Sequence, residues 1–405
     1  MSHSWINPLS CFVCIWTLIT LLYQLRLSQS QPVLSWKTYL LLCAVLFIFS
    51  VSYFIGCFFA SRLRIALMKK SSDSTVYRSD EKIFYILYGS WAVLSLFELF
   101  YCGGCPLIWK LTGDERNYFQ YGIPSLHGFL NSLGLVLLGY LVYKLVNKFE
   151  KIKLLLLFVL IIYYIFIITR QVLVSAAIES SVIILLMKKD KFKKKIPLVI
   201  GISSSVILLG IILFGLLGNF RTGYSNFVSV SRLNVSLPSF LSGFEWVYMY
   251  LTMTLANIDK MIMLNPSPLG IGPIASLILP SVVLRHIPNI AVVSDPNLYL
   301  ANSQFTVSGY FAEAFFSFGI LGVIVITILY GLLGGLCERW YDLSQSMCSL
   351  LCYAVTLQII ILSFFANMLF YLPNCFQYIL ILFFFGILHR RKPLKKDVMV
   401  NCKEN

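Results

Sequence analysis

Between Gly218 and Gly309 the chain keeps Arg221, Arg232, Glu245, Arg285, His286 and Asp295 among apolar and aromatic residues, and Glu313 follows just past the stretch. Guanidinium groups stay charged and bind phosphate oxygens through two parallel hydrogen bonds, so arginines gathered in such surroundings point to an anionic, phosphate-bearing target. Arg170 is a fourth candidate for the same group. A single arginine at a membrane surface simply reaches toward lipid headgroups; four on one face exceed what that reading requires. Glu313 lies in Gly309-Tyr-Phe-Ala-Glu-Ala-Phe-Phe-Ser-Phe-Gly-Ile-Leu-Gly322, at the start of a glycine-punctuated helix. A carboxylate there can serve as a general base, or can hold an arginine in place. Glu98 and Glu179 also fall within apolar windows, where ionisable groups are rare and face polar interiors. No DxD or HExxH motif and no GxxxxGK[ST] loop occurs, and His3, His127, His286 and His389 are far apart. The expected chemistry therefore uses neither a bound metal nor a nucleotide.

The elements that carry these residues follow from composition. With 59% hydrophobic and 12% charged residues, the chain has too little polar surface for a water-soluble protein. Apolar windows at 10–25, 39–60, 83–102, 123–143, 153–169, 172–187, 196–217, 310–334, 347–369 and 375–389 read as about ten transmembrane helices. The pair at 153–187 reads as two short spans turning at Arg170, because one long helix would put that arginine near the bilayer centre. The chain thus divides into an N-terminal bundle of seven spans (1–217), an extramembrane segment (218–309), and three final spans with a basic tail (310–405).

Charge sets the orientation. Ten spans would place 23 of the 32 lysines and arginines on one face, including the Lys188–Lys195 cluster and the tail from Arg390 to Lys403. That bias puts both termini in the cytoplasm and the 218–309 segment outside. The net charge of +15 is thereby absorbed as a topology signal and not as a nucleic-acid surface. The first apolar run lacks a charged leader and a small-residue cleavage site, so it reads as the first span and not as a signal peptide. The eleven cysteines lie mostly within spans; Cys102 and Cys105 form a CxxC pair at an outer helix end, where a disulfide is feasible.

Two outer stretches stand out. Gly103–Gly122 carries Lys110, Asp114, Glu115, Arg116, Tyr118 and Tyr121, followed by Pro124 and His127. Mixed charge with aromatics suits sugar contact, and equally suits a solvated loop with interfacial anchors. In the long segment, Phe244–Asn257 is apolar yet carries Glu245 and leads to Asp259-Lys260. An extra span there would invert the charge pattern downstream, so an interfacial or partly embedded helix is expected. Pro266, Pro268, Pro273 and Pro280, with Gly270 and Gly272, then favour a lid of short helices and turns.

With this architecture, Asn302–Gly322 entering a late span and Tyr330-Gly-Leu-Leu-Gly-Gly335 closing it, the chain resembles the bacterial O-antigen polymerases of the Wzy type. Leu255-Ala-Asn257 and Gly122-Ile-Pro-Ser-Leu-His-Gly128 are similar to that family as well, and so is the spacing of Arg232 and Gly243. Where the family often has Asp before Phe-Gly, this chain has Ser317. The resemblance implies an all-α polytopic membrane protein of the GT-C-like class in the bacterial inner membrane, with a large periplasmic lid between spans seven and eight. It implies polymerisation of undecaprenyl-diphosphate-linked repeat units into O-antigen or a related surface polysaccharide, without cofactor. Arg170, Arg221, Arg232 and Arg285 would then bind the substrate diphosphate. Glu313, His286 and Asp295, in that order, are candidates to take the acceptor's proton. Tyr224, Trp246, Tyr248, Tyr250 and Tyr299 are candidates to seat sugars. Partners would be the lipid-linked glycans and membrane lipids, with room for a chain-length regulator.

Three other readings use the same residues. An O-antigen ligase shares the plan and carries a histidine in the long outer loop, a place His286 can fill. A lipid-linked oligosaccharide flippase predicts more, evenly spaced spans and short loops on both faces, which the lone long segment opposes. A membrane-anchored interaction protein leaves the arginines without a role.

Overall fold

The computed structural model describes residues 6–62, 77–116, 120–189, 196–235, 237–284, 286–287 and 295–387. Arg285 and Tyr118 lie outside the described residues, as do the side chain of Arg221 and most of the basic connections.

The described residues are helical, with a single isolated bridge between Ser28 and Leu233 and no strand. In chain order they form α1 (Pro8–Gln24), α2 (Trp36–Arg62), α3 (Tyr77–Tyr101), α4 (Pro106–Thr112), α5 (Leu126–Asn147), α6 (Lys151–Phe166) and α7 (Arg170–Met187). Then come α8 (Ile196–Thr222), α9 (Tyr224–Ser231), α10 (Ser242–Leu264), α11 (Gly272–Ile278), the single turn Ser281–Leu284, α12 (Ala312–Ser344), α13 (Met347–Ile361) and α14 (Leu372–Leu380). Local chemistry explains several of the starts. Asn7 accepts from the Ser10 amide at 2.7 Å with Pro8 in the first turn, and Ser346 caps α13 in a reciprocal pair with Ser349.

Among the described residues, six helical stretches are long and apolar enough to cross a membrane: α2, Glu81–Thr112 (α3 with α4), α5, α7, α12, and Met347–Phe364, which begins with α13. Pro8–Gln24, Leu208–Phe220 and Leu372–Gly386 are apolar but shorter, and α6 has 16 residues. Each of the ten windows read from the sequence falls on a helix, and among the described residues six of these helical stretches meet the criteria of length and apolarity for a span. The chain is an all-helical membrane protein. The division of 153–187 is present: Ile168 takes a left-handed φ of 53°, and Arg170 opens α7.

Two features differ from a superficial lid. The first is α10, a continuous 23-residue helix buried along Trp246, Met249, Met253, Ala256 and Met261 and packed on α1, α2 and α8. It reaches α8 so closely that a Cβ on Gly243 would lie 2.1 Å from the Ile211 carbonyl oxygen. Small residues permit such backbone approach in a medium that gives apolar surfaces no other reason to associate. The second is the docking of the α1–α2 connection onto the long segment. Asp259 in α10 accepts from the Ser35 amide, the Ser35 hydroxyl and the Thr38 hydroxyl at 2.6–2.8 Å, fixing the first turn of α2. Ser28 donates to the Ser231 carbonyl, and Gln31 bridges Tyr248 and Thr252. The α1–α2 connection and the 218–309 segment therefore share one end of the bundle.

Parallel contact between α2 and α12 forms the most extensive helix pair. It rests on Gly56, Gly331 and Gly335; a Cβ on Gly335 would lie 2.1 Å from the Tyr53 carbonyl oxygen. Near its start α12 is kinked, with Phe318 and Gly319 off helical geometry and Gly319 at φ 60°, ψ −144°. The carbonyls freed by the kink are not lost: the Leu269 amide donates to Phe316 O and the Gly270 amide to Ser317 O.

Candidate functional site

The kink presents Glu313. A Cβ on Gly322 would stand 2.0 Å from the Ala314 carbonyl oxygen, so the first turn of α12 folds back against the helix body only because residue 322 has no side chain. Ser317 is fully buried and its hydroxyl accepts from the Ile274 amide at 3.3 Å, tying α11 to the same turn. Ser317 thus holds the 269–278 segment in place.

Around this turn lies a cavity of about 490 Å³. Its polar lining is Glu313, Asn257, Ser276, Asn297, Thr306 and Ser308; Met261, Pro273, Tyr299, Leu300, Phe316 and Phe365 supply apolar walls. Buried Asn257 builds one side. Its amide donates to the carbonyls of Phe305 (2.7 Å) and Val307 (2.8 Å), and its oxygen accepts from the Ala301 amide (2.8 Å). Lys260 adds a bond from Nζ to the Leu300 carbonyl at 2.8 Å. Together they hold the non-helical run 300–307 along α10. Glu313 Oε2 is buried and has no hydrogen-bond partner among the described residues. An uncompensated buried carboxylate oxygen costs free energy unless a ligand or proton completes it.

The expected site residues separate into groups. Glu313 and Tyr299 share the cavity, with the Tyr299 ring edge-on to Phe316 at 4.8 Å. Asp295 is exposed and caps the turn Pro296–Tyr299 by accepting from the Asn297 amide at 3.0 Å, so it positions two lining residues without facing the cavity itself. His286 is exposed on the turn after Leu284 and is not part of the lining.

Arg170 is buried, with its guanidinium carbon 5.0 Å from the Phe214 ring centroid and 5.7 Å from that of Trp246. Trp246 stacks on Phe227 at 4.0 Å and donates from Nε1 to Asn219 at 2.9 Å. Tyr250 packs among Phe214, Phe305, Phe365 and Trp246. Two of the five expected sugar-seating rings, Trp246 and Tyr250, therefore sit in an aromatic wall that runs from Arg170 to Phe365 at the cavity. Arg232 departs from the expected cluster: it is exposed at the end of α9, with a left-handed φ of 47°. Neither Arg170 nor Arg232 lines the cavity. Tyr224 is engaged elsewhere, donating to the Leu237 carbonyl at 2.5 Å. Beside it Glu245 is buried and accepts from the Leu237 amide; burial pushes its carboxyl above the usual range.

Sequence reasoning named Glu98 and His127 without joining them. Glu98 is fully buried and accepts from the Ile123 amide at 3.0 Å, while His127 Nδ1 lies 3.1 Å from its Oε2. The opening of α5 as Gly122-Ile-Pro-Ser-Leu-His-Gly128 was the available hint. Glu179 is buried in α7 against Gln377 of α14. Cys102 and Cys105 are free thiols, so the feasible disulfide is absent. No group of three or more metal-ligating side chains occurs among the described residues. No protein-family model, curated protein or solved structure matches the chain.

Proposed function

We propose that this chain is a glycosyltransferase that polymerises oligosaccharide repeat units carried on undecaprenyl diphosphate, acting at the outer face of a bacterial inner membrane. One observation carries the reading: a helical membrane protein folds a long connecting segment onto the start of a late span, forming a largely apolar cavity into which Glu313 brings a buried carboxylate oxygen without a partner.

In the proposed reaction a hydroxyl of the incoming repeat unit attacks the anomeric carbon of the growing glycan. The new carbon–oxygen bond forms as the bond to the lipid diphosphate breaks, and that bond's electron pair leaves on the diphosphate. Glu313 receives the hydroxyl proton. Positive charge must stand where the diphosphate develops its negative charge, a part assigned to Arg170 and to Arg221 and Arg285, whose side chains lie outside the described residues. Arg170 is the best supported, because aromatic walls lower the local polarity around a fixed guanidinium and link it to the cavity. His286 and Asp295 become secondary candidates for the proton, being exposed and outside the cavity.

Gel analysis of surface glycan from a strain lacking the chain tests the reading. Loss of the polymer ladder with retention of single-repeat material supports it. Intact ladders that merely fail to reach the core lipid would identify a ligase instead.

A further inference from the structure

We infer that Glu98 and His127 form a second polar site at the cavity end of the bundle, which takes a saccharide hydroxyl on Nε2 of His127. The site rests on the proposed function for its ligand class, and on its own geometry for its existence.

Three donors converge on the fully buried carboxylate of Glu98: the Ile123 amide on Oε1 at 3.0 Å, and on Oε2 the Nδ1 of His127 at 3.1 Å and the Tyr163 hydroxyl at 3.4 Å. In the neutral tautomer whose Nδ1–H donates to the carboxylate, Nε2 is left as the acceptor. The ring is closely packed on one side. Gly122, at φ +107°, approaches it so closely that a Cβ there would lie 2.8 Å from His127 Cγ, and the Tyr121 ring stands edge-on at 5.5 Å. The His127 side chain is nonetheless 26% exposed. An imidazole oriented by a buried carboxylate, packed against its neighbours and partly exposed is a pre-organised hydrogen-bonding site for a hydroxyl.

Its position fits a second saccharide. Gly128 would place a Cβ 4.0 Å from Leu372, and the rings of Phe129 and Phe376 lie 6.2 Å apart, so the start of α5 abuts the start of α14. The turn leading into α14 begins with Phe365 and Ala366, which line the Glu313 cavity. The two sites therefore flank the run Phe365–Leu372 at one end of the molecule. A transferase that joins two glycans needs two hydroxyl-rich binding sites, and this pair supplies the second.

The competing role is a staple joining α3 to α5, and two variants separate them. His127→Asn keeps an amide donor where Nδ1 stood and removes Nε2; His127→Gln does the reverse. The full chain in nanodiscs is assayed with lipid-linked repeat units extracted from membranes that lack it. We expect His127→Asn to unfold at the parent temperature, to raise KM for the repeat unit roughly 3- to 10-fold and to leave kcat in place. Parent KM in a folded His127→Asn chain overturns the site. An independent reading comes from diethyl pyrocarbonate, which modifies free imidazole nitrogen and is followed by peptide mass spectrometry. His127 is expected to react, and to be protected by the extracted repeat units; an unreactive His127 overturns the site. A reactive His127 that the repeat units protect, in a chain that makes no polymer, removes the polymerase reading but leaves the saccharide site standing.

Discussion

Glu313 sits at the one place in the cavity where a buried acidic oxygen lacks a partner, and its replacement separates chemistry from folding. Glu313→Gln should reduce polymer formation by at least about 100-fold while membrane insertion and yield stay unchanged. Normal ladders from that variant would move the proton acceptor elsewhere. Glu245 behaves oppositely, as a residue of stability. Burial raises its folded-state carboxyl above the ordinary value of 4.5, so the folded chain holds that proton more tightly than the unfolded chain. Any stability it contributes is present below pH 4.5 and is lost as pH rises through the elevated folded value. Glu245→Gln should therefore raise the unfolding temperature at pH 7 and lose that advantage near pH 4; an equal effect at both would exclude the linkage. Glu313 was legible in the sequence because an acid at the edge of an apolar run is rare. The role of Asn257 was not. Its partners come from Ala301, Phe305 and Val307, and an amide in a helix gives no sign of which distant backbone it serves.

Helix α12 shows how much an element's shape depends on single glycines. Gly319 holds φ 60°, ψ −144°, a region open essentially to glycine alone, and Gly322 lets the turn bearing Glu313 fold back. Gly319→Ala should cost about 1–3 kcal/mol in stability, seen as an earlier thermal unfolding transition. Gly89, exposed in α3 with nothing within 4 Å of its missing Cβ, is the matched control; Gly89→Ala should be neutral or stabilising. Equal destabilisation by both would mean that the kink is not what the glycine supports. The sequence marked this helix as glycine-punctuated, and it marked α10 as apolar with an embedded character. It did not distinguish a glycine used for its dihedral angles from one used for its absent side chain. Only the partner atom, Ala314 O for Gly322 and Ile211 O for Gly243, makes that distinction.

Across the molecule, the organising feature is that the α1–α2 connection, the 218–309 segment and the turn before α14 meet at one end of the bundle. Asp259 fixes the first of these to α10, and the Thr254 hydroxyl donates to the Phe364 carbonyl to fix the last. Single cysteines placed at Val33 and Phe240, both exposed, should react with an impermeant thiol reagent from the same side in a cysteine-free background. A cysteine at the exposed Phe149, in the connection between α5 and α6, should react only from the other side. Labelling of all three from one side would break the topology. This arrangement was largely legible because lysine and arginine placement responds to the membrane as a whole. The expected gathering of four arginines is not seen in the two whose side chains are described. Arg170 turns into an aromatic wall while Arg232 faces outward, a difference set by which helix face each occupies after the chain folds.

The most direct measurement supplies the purified chain in nanodiscs with isolated lipid-linked repeat units and no nucleotide sugar, and follows the products on a gel. A ladder of lengthened, still lipid-linked glycan that disappears with Glu313→Gln is the predicted result. Repeat units left at their starting length by the intact chain, or a ladder unchanged by Glu313→Gln, would contradict a polymerising site in this cavity.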